Sequence, residues 1–181
     1  MWRYFAPAIA VLALGALFYF ALHRIGRGEL DIREIKSPLL GKPAPAFALP
    51  TLQDPARIVD SRTLAGRPYL LNVWGTWCNE CRAEHATLVE LSRTGGVPII
   101  GLDWKDDRQD ATAYLAQLGN PYAETLVDND GRTAINWGVY GAPETFLVSA
   151  DGRVLAKHIG ALTLGVWQRK FAPHLAPGGG S

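Results

Sequence analysis

The segment YLLNVWG at residues 69–75 constrains the fold more than any other part of the sequence. An apolar run of this length, bounded by polar and turn-forming residues, is typical of a β-strand buried on both faces. Residues 82–93 carry apolar side chains at helical spacing, and Gly95 and Gly96 end that pattern. A second apolar run at residues 97–104 predicts another buried strand. This strand–helix–strand order predicts a sheet covered by helices.

The rest of the chain continues the alternation of helices and strands. Strands 145–148 and 154–159 flank Asp151 and Gly152, an arrangement that predicts a β-hairpin. The sequence therefore predicts an α/β domain with a mixed central sheet flanked by helices. The remaining predicted elements are short strands at 47–49 and 122–127, a turn or short helix at 61–66, and helices at 107–118, 131–137 and 164–175.

Residues 4–22 form an uncharged and strongly apolar run. At about 1.5 Å of rise per residue, a helix of this length approaches the ~30 Å hydrocarbon thickness of a bilayer, so we predict one transmembrane helix. A cleaved signal peptide is the less favoured alternative, because only Arg3 precedes the run and no small-x-small site follows before His23. The predicted organisation is an anchor at 1–22, a linker at 23–42, a folded domain at 43–176 and a disordered tail at 177–181.

Charge argues against some partners and leaves the orientation of the anchor open. The chain carries 18 basic and 17 acidic residues, with no basic stripe interleaved with aromatic residues, so we predict no nucleic-acid partner. More basic residues follow the apolar run than precede it. The positive-inside rule alone would therefore place the folded domain in the cytoplasm.

The sequence contains only two cysteines, Cys78 and Cys81, directly after the first buried strand and at the start of the predicted helix. The leading N–H groups of a helix stabilise a thiolate, which is the species that attacks a disulfide. Cys78 is thus the predicted attacking thiol, Cys81 one turn later is the resolving thiol, and Trp77 forms an apolar wall beside them. An inert disulfide is the structural alternative. A zinc site is less favoured, since only His85 is spaced to approach the pair, and we predict no metal or cofactor.

The segments VWGTWCNECRAEH, KDDRQ, LGNPY and GVYGAPETFLV, in this order, resemble the CcmG/DsbE family of cytochrome c maturation. The resemblance extends over residues 43–164 and the anchor, and GVYGAPETF is its most specific part. It implies a thioredoxin-like domain that faces the periplasm from the inner membrane. It also implies a reductase that keeps the haem-attachment cysteines of apocytochrome c reduced, directly or through a CcmH-type partner. The implied electron donor is a membrane protein of the DsbD/CcdA type.

The resemblance also implies a set of site residues. Glu84 matches an acidic position near the cysteine pair and is the predicted proton-transfer residue, with an ordinary solvated helix carboxylate as the alternative. A cis-proline loop lies against the cysteines in a thioredoxin-like fold. We therefore predict that the Ala142–Pro143 peptide is cis, although only ~5–6% of X-Pro bonds are cis. The predicted substrate groove consists of Trp77, Tyr140, Ala142, Pro143 and the acidic Glu144.

Other polar residues near the predicted site have less specific roles. Asp103 and Trp104 end the second buried strand, where packing and capping are the favoured roles. Asn72 lies within the first buried strand and is predicted to be structural. Asn79 and Glu80 stand between the cysteines, where family members often have proline first, and the glutamate opposes thiolate formation.

Three alternative functions use the same residues. The first is an oxidase that inserts disulfides, which would be expected to carry a long helical insertion between Cys81 and Pro143. The second is a general thiol reductase or a peroxide-handling enzyme. The third is a binding module for Cys-x-x-Cys-His segments, in which the two cysteines are only a structural clip.

Overall fold

A computed structural model describes residues 2–26 and 37–175 of this protein. The described residues form two compact units, one within residues 1–35 and one within residues 36–181. The strands of the second unit are β1 (Ala48–Pro50), β2 (Ile58–Asp60), β3 (Tyr69–Trp74), β4 (Ile99–Trp104), β5 (Glu124–Asp128), β6 (Glu144–Val148) and β7 (Val154–Ile159). Its helices are α2 (Asn79–Thr94), α3 (Arg108–Leu118), α4 (Arg132–Asn136) and the short α5 (Leu164–Val166), with a 3-10 turn at Ser61–Leu64.

The first unit contains a single described helix, α1 (Trp2–Gly26), which includes the apolar run. Within residues 2–26 and 37–175, no helix is found that is long and apolar enough to cross a membrane. The predicted transmembrane segment is therefore not confirmed. Residues 27–36 of the predicted linker and the predicted tail at 177–181 lie outside the described residues.

The central sheet of the second unit is mixed, as the sequence predicts. Its strand order is β5-β4-β3-β6-β7, in which β3, β4 and β5 are parallel while β6 and β7 run antiparallel to their neighbours. Strands β1 and β2 form a separate antiparallel pair. The end of β3 therefore lies at the same edge of the sheet as the start of β6, and this edge carries the site.

Alternate side chains of each strand point to opposite faces of the sheet, and both faces are buried. One face packs Leu70 and Ile99 against α2 and α3. The opposite face packs Leu71 and Leu102 in a cluster that also contains Trp137. The four strand residues are at most 1% exposed, so the apolar runs at 69–75 and 97–104 are explained by burial on two sides.

The chain that precedes β1 is attached to the edge of the sheet. The N–H of Gly41 donates to the carbonyl of Val154 at 2.8 Å, and the N–H of Ala44 donates to the carbonyl of Gly152 at 2.8 Å. Residues 37–42, which the sequence assigns to the linker, are thus in contact with β7 and the turn before it.

Residues 164–175 are predicted to form one helix, but the structure divides them into three short helical segments. Only α5 is α-helical, and it is followed by a π-helical turn at Trp167–Phe171 and a 3-10 turn at Ala172–His174. Pro173 has no N–H to donate, which explains why the α-helical ladder does not continue through it. The rings of Trp167 and Phe171 stack 6.0 Å apart and are buried. Strand β2 was not predicted at all.

Candidate active site

Cys78 is the N-cap residue of α2, directly after the turn that follows β3. Its backbone is extended (φ −95°, ψ 109°), and its sulfur accepts a hydrogen bond from the N–H of Cys81 at 3.0 Å. The two cysteines form a disulfide. A leading amide of the helix thus points at the Cys78 sulfur, which is the geometry that stabilises negative charge there once the disulfide is reduced.

Both cysteines are buried as whole residues, Cys81 at 3% exposed and Cys78 at 6% exposed. Trp77 beside it is 52% exposed. Its Nε1 donates to the carbonyl of Trp104 at 3.2 Å, and the two indole rings meet edge to face at 5.7 Å. The predicted packing role of Trp104 is confirmed, because it supports the exposed indole beside the reactive sulfur.

A carboxylate of the loop after β4 fixes the turn that leads to the cysteines. Asp106 accepts hydrogen bonds from the N–H of Thr76 and from its hydroxyl, the latter at 2.7 Å. This contact was not predicted from the sequence. Its only sequence signal is the acidic pair Asp106 and Asp107, which begins two residues after the end of β4.

Glu84 lies one turn after Cys81 on α2 and is 1% exposed. Its Oε1 accepts from Asn72 Nδ2 at 2.8 Å, and its Oε2 accepts from the N–H of Leu162 at 2.6 Å. Burial raises the pKa of Glu84 from 4.5 to about 7, although both hydrogen bonds lower it. The alternative of an ordinary solvated carboxylate is therefore wrong, and the raised pKa makes Glu84 a candidate proton-transfer residue.

Asn72 holds Glu84 within a buried polar network. Its Nδ2 also donates to Thr145 Oγ1 at 3.1 Å, and its Oδ1 accepts from the hydroxyl of Tyr122 at 2.9 Å. Asn72 and Thr145 are directly paired between β3 and β6. The structural role predicted for Asn72 is confirmed, but the network that it organises was not predicted.

Asp103 is a second buried carboxyl near the site, next to Trp74 of the adjacent strand. It is 0% exposed, and neither of its oxygens forms a hydrogen bond of normal geometry among the residues that the structure describes, although the Asp106 side chain lies close enough to interact with it. Burial, followed by the nearby charge of Asp106, raises the pKa of Asp103 from 3.8 to about 8. The raised pKa favours the protonated form of Asp103 at neutral pH. The predicted packing role is confirmed, whereas the N-terminus of α3 is capped by Asp107.

The Ala142–Pro143 peptide is cis, as the sequence analysis predicts. Glu144, the next residue, pairs with Val73 between β6 and β3, which places the proline at the edge of the sheet where the cysteine turn begins. Ala142 packs against the extended core cluster of which both cysteines are members. The structure therefore places the predicted cis-proline loop and the turn that leads to the cysteines at the same edge of the sheet.

Glu144, which the sequence predicts as the acid of the substrate groove, has a buried and paired side chain. Its side chain is 0% exposed and forms an ion pair with Lys157, whose Nζ lies 2.8 Å from Glu144 Oε2. Its other oxygen accepts from the N–H of Tyr140 at 2.8 Å. Tyr140 itself is 67% exposed. The acid thus lies behind the loop and holds its backbone, while the tyrosine ring is at the surface.

His85 takes part in packing near the N-terminal half of α2. Its Nε2 lies 2.8 Å from the carbonyl oxygen of Gly119, and its ring meets Tyr114 edge to face at 5.0 Å. Within residues 2–26 and 37–175, no group of three or more His, Cys, Asp or Glu side chains is arranged to hold a metal ion.

A Cys-x-x-Cys disulfide at a helix N-terminus, beside a cis-proline loop on a mixed sheet, defines a thiol-disulfide oxidoreductase of thioredoxin-like fold. The family model for Redoxin matches residues 39–168. The chain belongs to the Redoxin family and, within it, to the DsbE (CcmG) thiol:disulfide interchange proteins, as the similarities to individual relatives show.

Two relatives and one solved structure illustrate these similarities. The thiol:disulfide interchange protein DsbE of Allochromatium vinosum is 44% identical over 174 residues, which cover 96% of this chain and 93% of the relative. DsbE of Escherichia coli K12 is 44% identical over 168 residues, which cover 92% and 90%. The crystal structure of a thioredoxin-family thiol:disulfide interchange protein from Chlorobium tepidum has a TM-score of 0.59 at 25% identity, and the match covers 70% of this chain and 91% of that one.

Proposed function

We propose that this protein is a reductase of c-type cytochrome biogenesis. It keeps the haem-attachment cysteines of apocytochrome c reduced, directly or through a CcmH-type partner, and a membrane protein of the DsbD/CcdA type returns its own disulfide to the dithiol. The observation that carries the proposal is the hydrogen bond from the N–H of Cys81 to the Cys78 sulfur, in a chain that is 44% identical to DsbE relatives.

The first step of the reaction is attack by Cys78. In the reduced protein, the leading amides of α2 favour the Cys78 thiolate, and this thiolate attacks one sulfur of the substrate disulfide. A mixed disulfide forms, and the released substrate sulfur takes up a proton. In the proposed encounter, Trp77 and the 140–143 loop contact the substrate chain around the reacting sulfur.

The second step is resolution by Cys81. Cys81 loses its proton, attacks the Cys78 sulfur and releases the second substrate thiol, so that two electrons and two protons have passed to the substrate. Glu84 is the proposed acceptor of the Cys81 proton, because it lies one turn away on α2 with a pKa of about 7. A carboxyl of this pKa is partly ionised at neutral pH and can both take up and return the proton.

The compact chain between the cysteines and the proline favours a reductase over an oxidase of the DsbA type. Residues 82–143 are all described, and they contain the rest of α2, two further strands and the helices α3 and α4, without an inserted helical subdomain. The reduction potential distinguishes the two directly. A reductant of this kind has a potential well below about −200 mV, whereas the strong oxidant DsbA lies near −120 mV.

The proposed location is the periplasmic side of the inner membrane, with residues 4–22 as the anchor. The support is the length of the uncharged apolar run in the sequence and the family to which the chain belongs. Sodium carbonate extraction of host membranes tests the anchor, and protease added to spheroplasts tests the side. Release of the intact chain by carbonate, or protection from the protease in spheroplasts, would contradict this location.

Complementation tests the function itself. Deletion of the chain from its host is expected to lower the content of mature c-type cytochromes, and plasmid-borne wild type should restore it. Cys78→Ser is expected not to restore it, while the matched control Ser92→Ala at an exposed position of α2 should behave like wild type. Full rescue by Cys78→Ser would favour the binding-module alternative and refute the redox mechanism.

A further inference from the structure

Lys157 contacts the cis-proline loop through its ammonium group, although no sequence motif points to this residue. It lies on β7 opposite Phe146, and only 4% of its side chain is exposed. Its Nζ lies 2.8 Å from Glu144 Oε2 and donates to the carbonyl of Gly138 at 2.8 Å. The same ammonium group lies 4.9 Å from the centroid of the Tyr140 ring and 5.0 Å from that of Phe146.

We propose that Lys157 is a positioning residue, which holds residues 138–144 in the conformation that receives a protein substrate at the cysteine pair. This inference rests on the proposed function, in which the loop contacts the substrate chain. In this role Lys157, a residue of β7, determines how well the site accepts a disulfide that is part of a polypeptide.

The contacts of Lys157 hold the loop from both ends. At the first end the ammonium group binds the carbonyl of Gly138. At the second end it pairs with Glu144, which accepts from the N–H of Tyr140. Between these ends it lies against the Tyr140 ring, which remains 67% exposed. One buried charge thus fixes two backbone groups and one surface aromatic ring of the loop.

An ion pair that only stabilised the folded state would not need contacts with two backbone groups and an aromatic ring of the loop. Replacing a buried ion pair by neutral groups of similar volume is often tolerated, whereas removing one partner leaves an unpaired buried charge. Stability and substrate positioning can therefore be separated by neutralising both partners together. The contacts of Lys157 given above all lie on the loop and on β6. Loss of Lys157 should therefore slow the reaction with a substrate that contacts the loop. It should have less effect on a small disulfide that reaches only the Cys78 sulfur.

The test compares a polypeptide disulfide with a small one. The full-length reduced chain is reacted with a synthetic peptide that carries an oxidised Cys-x-x-Cys-His segment, and separately with oxidised glutathione. In both reactions one S–S bond forms between Cys78 and Cys81 while one breaks in the oxidant, which gains two electrons and two protons. The variants are Lys157→Met and the double variant E144Q/K157M, with Lys42→Met at an exposed position as the control for loss of one positive charge.

The double variant is the decisive one. We expect it to fold, to raise KM for the peptide so that kcat/KM falls at least about tenfold, and to react with glutathione within about twofold of wild type. Lys157→Arg, which keeps the charge, should recover most of the peptide reaction, and Lys42→Met should not differ from wild type.

Two results would overturn the role of Lys157. One is a folded double variant whose kcat/KM for the peptide stays within about twofold of wild type. The other is a double variant that does not fold, because a residue whose neutral replacement unfolds the domain is a stability element. A wild-type chain that reduces glutathione but not the peptide would instead refute the proposed function, and this role with it.

Discussion

Replacing Asp103 by asparagine is expected to stabilise the folded domain at neutral pH. The folded state keeps this carboxyl protonated, because its pKa is raised from 3.8 to about 8 by burial, whereas the unfolded chain ionises it. Between these two values the folded state binds more protons than the unfolded state, so stability falls as the pH rises. Asparagine has nearly the same shape and cannot ionise, so it removes this dependence on pH.

The size of the effect follows from the shift in pKa. At pH 7 the unfolded group lies about three pH units above its pKa, and each unit corresponds to ~1.4 kcal/mol, so the upper bound is about 4 kcal/mol. The buried amide of asparagine is also without a partner, which costs about the same as the unpaired carboxylic acid. We therefore expect Asp103→Asn to raise the free energy of unfolding at pH 7 by about 2–4 kcal/mol.

The assay is guanidinium chloride unfolding of the oxidised full-length chain at a series of pH values from about 4 to 8. The difference between Asp103→Asn and wild type should be near zero at the acid end and should grow with each pH unit. Asp110→Asn, at an exposed position in the first turn of α3, is the matched control and should stay within about 0.5–1 kcal/mol of wild type. An Asp103→Asn chain that is no more stable than wild type at pH 7, or a difference that does not change with pH, would refute the reasoning.

Three further predictions concern the site and its surroundings. Wild type should show an inflection near pH 7 in the rate of mixed-disulfide resolution, because ionised Glu84 above that pH can accept the Cys81 proton; stopped-flow traces of Glu84→Gln should lack it. Asp106→Ala removes the acceptor of the Thr76 N–H and should cost about 1–3 kcal/mol of unfolding free energy, and an unchanged denaturation midpoint would contradict this contact. Gly131→Ala should lower Tm measurably, because φ is +73° and the new Cβ would clash with the Lys105 side chain; an equal Tm would contradict the strain expected at this φ.

The order of the elements, and the position of the two cysteines at the start of α2, could be predicted well from the sequence, because these features depend on local patterns. Runs such as 69–75 are apolar throughout because the strand is buried on both faces, and helix α2 ends where Gly95 and Gly96 follow. Strand β2 was missed because it has only three residues and pairs only with β1. A pattern search has too few alternating positions in so short a strand to find it.

The polar part of the site was harder to predict, because its partners are distant in the sequence. Glu84 and Leu162 are 78 residues apart, and the groups that fix the loop lie on different strands. The sequence placed Glu144 in the groove because it matches an acidic groove position of the family, but it is buried in an ion pair with Lys157. The orphaned carboxyl of Asp103 could not be anticipated either, because its burial depends on three adjacent strands.

The hydrogen bond between the N–H of Leu162 and Glu84 makes a distant amide sensitive to the chemistry at the cysteines. If Glu84 gains or loses a proton during turnover, the strength of this bond changes, and so does the chemical shift of the Leu162 amide in an NMR spectrum. A single backbone signal, 81 positions along the chain from Cys81, can therefore report proton movement in the site without any label on a catalytic residue.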